Sequence, residues 1–257
     1  MIPKIIHYCW LSNDEVPTEL QQCMNTWKDL LKDYEFKKWD FSVFDKSSSV
    51  WVQEAFDNKK YAFACDYIRL FALYNYGGIY LDMDIEILKN LDTFLSNEYM
   101  MAKERPDQVW IEAGCMGAEK KAPFILDCLK YYQDKHFINE QGIYEDTPLP
   151  RIMAKVYKEG NYNFYLGDWQ TFTCKSYDTG VITTNENSYA IHHFAGSWKD
   201  KREQEVHLKA LKFRKVFLIG VPLSFVYEKG YKTITSFKQG GLKDVLHKVQ
   251  RFVRRSN

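Results

Sequence analysis

The chain has 257 residues, 46% of them hydrophobic and 27% charged, with a formal net charge of +1. That is enough apolar material for one large globular domain, and too balanced a charge for a nucleic-acid binder or an acidic tail. Six scattered cysteines form no CxxC pair and read as reduced thiols, against a disulfide-stapled scaffold.

The opening MIPKIIHYCW has no basic leader followed by an apolar core. No run reaches the roughly 18 apolar residues of a spanning helix, so a cytoplasmic protein is expected. Residues 3–10 alternate and run apolar, which predicts a first strand. Residues 20–31 predict a helix with Leu20, Cys23, Trp27, Leu30 and Leu31 on one side. Residues 34–39 predict a second strand. This strand–helix–strand start argues for a parallel sheet flanked by helices. Residues 45–59 have weaker helical spacing. Residues 61–75 predict a stronger helix, stopped by Gly77 and Gly78. A short buried strand over 79–82 follows.

Further along, residues 100–102 and 113–118 look like strands and 123–133 like a helix. A helix opening around Pro148 and Pro150 is expected to run to Tyr157, and residues 162–166 and 190–194 read as later strands. From 229 to 257 there are eight Lys or Arg and a single acid, Asp244. Leu242, Val245, Leu246, Val249, Phe252 and Val253 fall at helical spacing there, so a basic amphipathic extension is expected beyond a catalytic domain of residues 1–228. It is a solvated helix packed on the domain or a helix lying on an anionic membrane surface, with calmodulin-like or nucleic-acid partners as the remaining readings.

Asp82 and Asp84 end the stretch YAFACDYIRLFALYNYGGIYLDMDIEIL, among apolar residues. Where a strand runs out into a loop they point to one side, and paired carboxylates need a proton or a cation between them. Oxygen ligands suit Mg²⁺ or Mn²⁺, which also binds phosphate oxygens. Asp66 and Arg69, three apart, share a helix face and form either an internal ion pair or a polar clamp for sugar hydroxyls. In AIHHFAGSWKD, strand alternation lets one of His192 and His193 reach a given site. Ser197, Trp198 and Lys199 follow as donors suited to a diphosphate leaving group.

Taken together, IPKIIHYCW, CDYIRLFALYNYGGIYLDMD and HHFAGSW resemble the DxD-motif sugar transferases of the yeast initiating α-mannosyltransferase type and of bacterial capsular polysaccharide synthesis. The clostridial glucosylating toxins are similar more distantly. The matches run from residue 2 to residue 198. The resemblance implies an α/β fold of the GT-A nucleotide-diphospho-sugar transferase type, a mostly parallel mixed sheet flanked by helices. It implies a nucleotide-sugar donor, Mn²⁺ or Mg²⁺, and retention at the anomeric carbon. Trp10 matches the aromatic that stacks on the donor base, and Asp66 and Arg69 the pair that holds the donor sugar. Tyr80 falls near the sugar or diphosphate. Asp82 and Asp84 match the DxD, with Asp84 the direct metal ligand and Asp82 closer to ribose or a metal-bound water. His193, heading an HxxG pattern, matches a metal histidine, which leaves His192 a packing role. Ser197 and Trp198 match donors to the β-phosphate, with Lys199 beside them.

The function expected is transfer from a UDP-sugar to a glycan or lipid-linked saccharide, in capsule or surface polysaccharide synthesis, with Asp66, Arg69, Asp84 and Trp198 at the chemistry. No nucleic-acid partner is expected. The competing functions are a metal-dependent nucleotide-sugar phosphohydrolase and a non-catalytic nucleotide-sugar-binding module.

Overall fold

The protein is described by a computed structural model covering residues 1–162 and 164–196. One compact unit comprises Met1–Ser176 and Ile182–Ala195; the second comprises Tyr177–Val181 and Gly196–Asn257. The 228/229 boundary and the basic amphipathic extension lie outside the described residues, as do Ser197, Trp198 and Lys199.

The first unit begins with the expected βαβ: β1 (Ile5–Cys9), α1 (Thr18–Leu30) and β2 (Glu35–Trp39). Next come α2 (Val50–Asp57), α3 (Tyr61–Tyr76), β3 (Gly78–Leu81) and β4 (Ile85–Ile87). Then follow β5 (Tyr99–Met100), β6 (Cys115–Ala118), α4 (Pro123–Lys130), α5 (Leu149–Glu159), α6 (Trp169–Phe172) and β7 (Ala190–His192). The sheet order is β2-β1-β3-β6-β5, and β4 pairs with β7 in a separate antiparallel ribbon. The pairs β1–β2 and β1–β3 are parallel, whereas β6 opposes both β3 and β5. Four of the five strands therefore point one way, the mixed and mostly parallel sheet of a GT-A-like fold.

Side chains on a strand alternate between faces, and here each face carries its own core. Ile6, Ile79, Leu81 and Cys115 join Trp27 and Leu20 of α1 on one side. Cys9, Tyr80, Met116 and Ala118 join Ile68 and Leu73 of α3 and Phe124 of α4 on the other. The indole of Trp27 donates to the Ile85 carbonyl at 2.6 Å, which ties α1 to the ribbon.

Three expectations change. Residues 45–59 divide into a 3₁₀ turn (Lys46–Ser48) and α2, because Ser49 caps a new helix by accepting from the Val52 amide. The β4 strand was not expected; Ile85 and Ile87 are too short an alternation to stand out before their partner strand is known. Tyr162 and Phe164 belong to no strand. Their rings pack on Phe124 instead, and the nearby pairing is a single bridge, Ala102 to Gly167.

The α3–β3 junction needs its glycines. Gly78 has φ +105, and a Cβ there would lie 2.6 Å from the Ile5 carbonyl oxygen of the neighbouring strand. His7, fully buried in β1, ties this junction to β2. One ring nitrogen, Nε2, donates to the Gly77 carbonyl at 2.8 Å, and Nδ1 accepts the Trp39 indole at 3.0 Å. Burial lowers the pKa of His7 to about 4, which keeps the ring neutral. The unfolded chain therefore takes up this proton first, and stability falls as pH drops from about 6.5 to about 4. A shift of that size is worth roughly 3 kcal/mol at full protonation. Thermal unfolding followed between pH 7 and pH 4 should show a shallower decline for His7→Gln than for the natural protein, although the variant starts less stable.

Candidate active site

Parallel β1 and β3 end at the same sheet edge, so Trp10, just beyond β1, and Asp82, just beyond β3, share that edge. Trp10 lines a cleft of about 300 Å³ with Lys38, Asp40, Phe41 and Phe56. Its indole donates to the Asp14 carbonyl at 3.0 Å. The sulfurs of Cys9 and Cys65 touch at 3.2 Å, bringing the end of β1 to the first turns of α3, where Asp66 follows Cys65.

Asp82 has the same strand parity as Tyr80 and so faces α3. Arg69, 5% exposed, is the hub on that face. One terminal nitrogen, Nη1, donates to Asp82 Oδ2 at 3.1 Å and to the Ala113 carbonyl at 2.8 Å; Nη2 lies 3.3 Å from Asp66 Oδ1. The guanidinium also sits 4.6 Å from the centre of the Tyr80 ring, whose hydroxyl donates to Asp82 Oδ1 at 3.0 Å. The Asp66–Arg69 couple is thus an internal ion pair that also reaches the DxD. Burial raises Asp66 to about 6, against the pull of Arg69. Burial likewise raises Asp82, opposed by Arg69.

Between β3 and β4 the chain turns tightly, with the Ile85 amide donating to the Asp82 carbonyl at 2.9 Å. Asp84 is then held by the exit of β7. Its carbonyl accepts the His193 amide at 3.0 Å, and its Oδ2 accepts the Ala195 amide at 2.7 Å.

His192, not the expected His193, joins the aspartates. Ligand atoms of Asp82, Asp84 and His192 all lie within 4.8 Å of one another. His192 Nε2 is 3.5 Å from Asp84 Oδ1. His193 instead places Nε2 2.7 Å from Glu86 Oε2. Alternation held and its phase did not: β7 buries both Ala190 and Ile191, so apolarity marks neither face, and the pairing of His192 with Ile85 decides it.

Glu112 is a site residue the sequence reading missed. It is 1% exposed and lies 3.0 and 3.1 Å, through Oε1 and Oε2, from His192 Nδ1. The signal was present: an acid between Ile111 and Ala113 in an otherwise uncharged stretch. Burial disfavours the imidazolium of His192, but Glu112 and Asp84 outweigh it and raise the ring to about 10.

The donor set fits a divalent cation. Asp66, Asp82, Asp84 and Glu112 face one guanidinium and one imidazole, an excess of negative charge among the described residues. Two carboxylates and an imidazole suit Mg²⁺, Mn²⁺ and similar ions without choosing among them. Gly114 keeps the space open, since a Cβ there would meet Asp82 Oδ2 and His192 Cε1 at 2.9 Å each.

Residues 17–101 match the family described as a glycosyltransferase sugar-binding region containing a DXD motif. That region of the chain is therefore similar to a DxD-containing sugar-binding region. The matched span holds Asp66, Arg69, Tyr80, Asp82 and Asp84. Mannosyl phosphorylinositol ceramide synthase SUR1 of Saccharomyces cerevisiae is 30% identical over 62% of this chain and 42% of its own length. Inositol phosphoceramide mannosyltransferase 3 of Schizosaccharomyces pombe is 35% identical over 58% of this chain and 43% of its own. The chain therefore spans less than half the length of these relatives. PaToxG glycosyltransferase is a more distant likeness, with a TM-score of 0.47 at 17% identity over 62% of this chain and 70% of that one.

Two substitutions probe the assembly of the candidate site. His192→Ala removes an imidazole from the trio, and Mn²⁺ affinity should fall by about 100-fold. His193→Ala loses a contact to Glu86 and should leave Mn²⁺ affinity within about threefold of the natural protein. Titration calorimetry with MnCl₂ makes the comparison.

Proposed function

We propose that the protein transfers a sugar, with retention, from a nucleotide-diphosphate donor to a hydroxyl of a glycan or lipid-linked saccharide. The observation that carries this reading is the convergence of Asp82, Asp84 and His192 beside the Asp66–Arg69 pair, at the carboxyl edge of the sheet. Ligands of open α/β sheets bind at that edge.

Asp82, Asp84 and His192 would hold Mn²⁺ or Mg²⁺. When bound, the cation neutralises charge on the diphosphate as the sugar–phosphate bond breaks. Arg69 keeps Asp82 in place and shields it from the charge of Asp66. Asp66, held by Arg69 and by the backbone of Leu149, is the residue proposed to accept from donor hydroxyls. Trp10 supplies an apolar face for the base at the neighbouring strand end, above the cleft with Lys38 and Asp40. Ser197, Trp198 and Lys199 are proposed as donors to the departing β-phosphate. No carboxylate is assigned as a covalent nucleophile; Asp66 is committed to Arg69 and to sugar binding. The acceptor attacks from the face the leaving group vacates, and the departing phosphate takes its proton.

The relatives' names supply a lipid acceptor, inositol phosphoceramide, and mannose as the sugar. GDP-mannose therefore stands beside the expected UDP-sugar as a donor. Among the described residues no helix is long and apolar enough to cross a membrane. We place the enzyme at the cytosolic membrane surface, with residues 229–257 as the basic attachment segment and surface polysaccharide as one acceptor class.

A donor screen tests the proposal. The purified protein is offered UDP- and GDP-sugars with Mn²⁺ or Mg²⁺, and nucleotide diphosphate release is measured with and without saccharide acceptors. One donor should stand out, release should rise with acceptor, and chelator should silence it. Asp84→Ala should lower turnover by roughly 100-fold or more. Release that is indifferent to acceptor points to a phosphohydrolase. Full activity in chelator overturns the metal role.

Asp66→Asn separates sugar binding from nucleotide binding. It should lower turnover far more than affinity for the free nucleotide diphosphate, as calorimetry beside kinetics would show. Equal losses would make Asp66 a structural partner of Arg69 alone.

A further inference from the structure

We propose that Glu112 is the positioning residue of the metal site: it holds the Nδ1–H of His192, so that Nε2, facing Asp82 and Asp84, is the nitrogen left to bind the cation. The inference rests on the metal-dependent reading above and assigns a role to a residue outside the matched family span.

A carboxylate buried to 1% exposure needs partners, and every partner found for Glu112 is a donor. The Gly114 amide donates to Oε1 at 2.6 Å, and the Thr173 hydroxyl donates to Oε2 at 2.7 Å. The ionised carboxylate has only acceptors to offer. His192 Nδ1, astride the two oxygens, must therefore be the donating nitrogen. That leaves Nε2, on the far side of the ring, facing Asp84 Oδ1. Phe194 stacks on the imidazole with ring centres 4.0 Å apart and limits its rotation. The arrangement is that of a histidine ligand whose second nitrogen is fixed by a carboxylate, which sets both tautomer and direction and raises ligand basicity.

The anchors of Glu112 also serve the site. Gly114, whose amide it binds, is the residue whose missing Cβ leaves room between Asp82 and His192. The Gly114 carbonyl accepts the Asp82 amide at 2.7 Å. Thr173 stands one residue beyond α6, and its carbonyl accepts the His192 amide at 2.9 Å. Glu112 thus links the loop before β6, the end of α6 and β7 at the one ring that faces the aspartates.

The experiment combines Mn²⁺ binding with direct observation of the ring. Titration calorimetry compares the full-length natural protein with Glu112→Gln and Thr173→Val, with folding checked by near-ultraviolet circular dichroism. Glu112→Gln keeps the shape and loses the charge, and should weaken Mn²⁺ by about 10- to 100-fold. Thr173→Val removes one anchor and should weaken it by a few-fold. Nitrogen-15 NMR of the imidazoles in the Mg²⁺-loaded natural protein should show His192 protonated at Nδ1 and not at Nε2. If the natural protein binds no Mn²⁺, the metal reading itself fails and takes this one with it. If it binds and Glu112→Gln binds equally well, the positioning role alone is overturned. If Glu112→Gln does not fold, the ring decides, and a His192 protonated at Nε2 overturns the inference.

Discussion

The site depends on placing Asp82 and Asp84 next to each other in a largely dry setting. Two carboxylates so placed repel, and burial makes the repulsion worse. The fold answers from two sides. Arg69 comes from α3 and pairs with Asp82, while His192 comes from β7 and faces Asp84. Each cation is itself anchored: Arg69 by the Ala113 carbonyl and Asp66, His192 by Glu112. Removing either cation would leave buried negative charge without compensation, which is costlier than losing an exposed ion pair.

The architecture delivers these groups by simple rules. Strand alternation sends Ile79 and Leu81 into one core, and Tyr80 and Asp82 toward α3. Helical spacing places Asp66 and Arg69 on the side of α3 that meets them. The β4–β7 ribbon then folds the distant residues 190–195 back over the DxD turn through the main chain of Asp84. The candidate metal trio therefore joins residues more than a hundred positions apart, fixed by backbone hydrogen bonds on both strands. Groups fixed in this way by hydrogen bonds are the kind of preorganised arrangement that electrostatic catalysis requires.

The same geometry explains why the proposed chemistry sits where it does. Trp10, Asp82 and the DxD turn lie at the carboxyl edge of parallel strands, where the sheet offers a crevice and chain reversals instead of packed side chains. A donor laid along that edge would put its base by Trp10 and its diphosphate by the aspartates.

Local pattern in the sequence determined the βαβ opening, the strong helix before Gly77, the short apolar strand after it, and the Asp82–Asp84 pair at its end. Their information lies within a few residues: helical period, strand period, a glycine stop and two acids among apolar neighbours. Asp66 and Arg69 were legible for the same reason, as an i,i+3 pair on one helix. Only the tertiary structure decided the rest. The phase of β7 could not be read from AIHHF because both of its faces are buried, and pairing with Ile85 turned His192 toward the aspartates and His193 toward Glu86. Glu112 was invisible as a partner because its contacts, His192 and Thr173, are far along the chain. Arg69 looked like half of a local pair, yet its strongest contacts go to Asp82 and the Ala113 carbonyl, because long-range sheet packing brings β3 and the loop before β6 against α3. Periodicity specifies which way a side chain faces along its own element; what it meets there is set by elements that the local sequence does not contain.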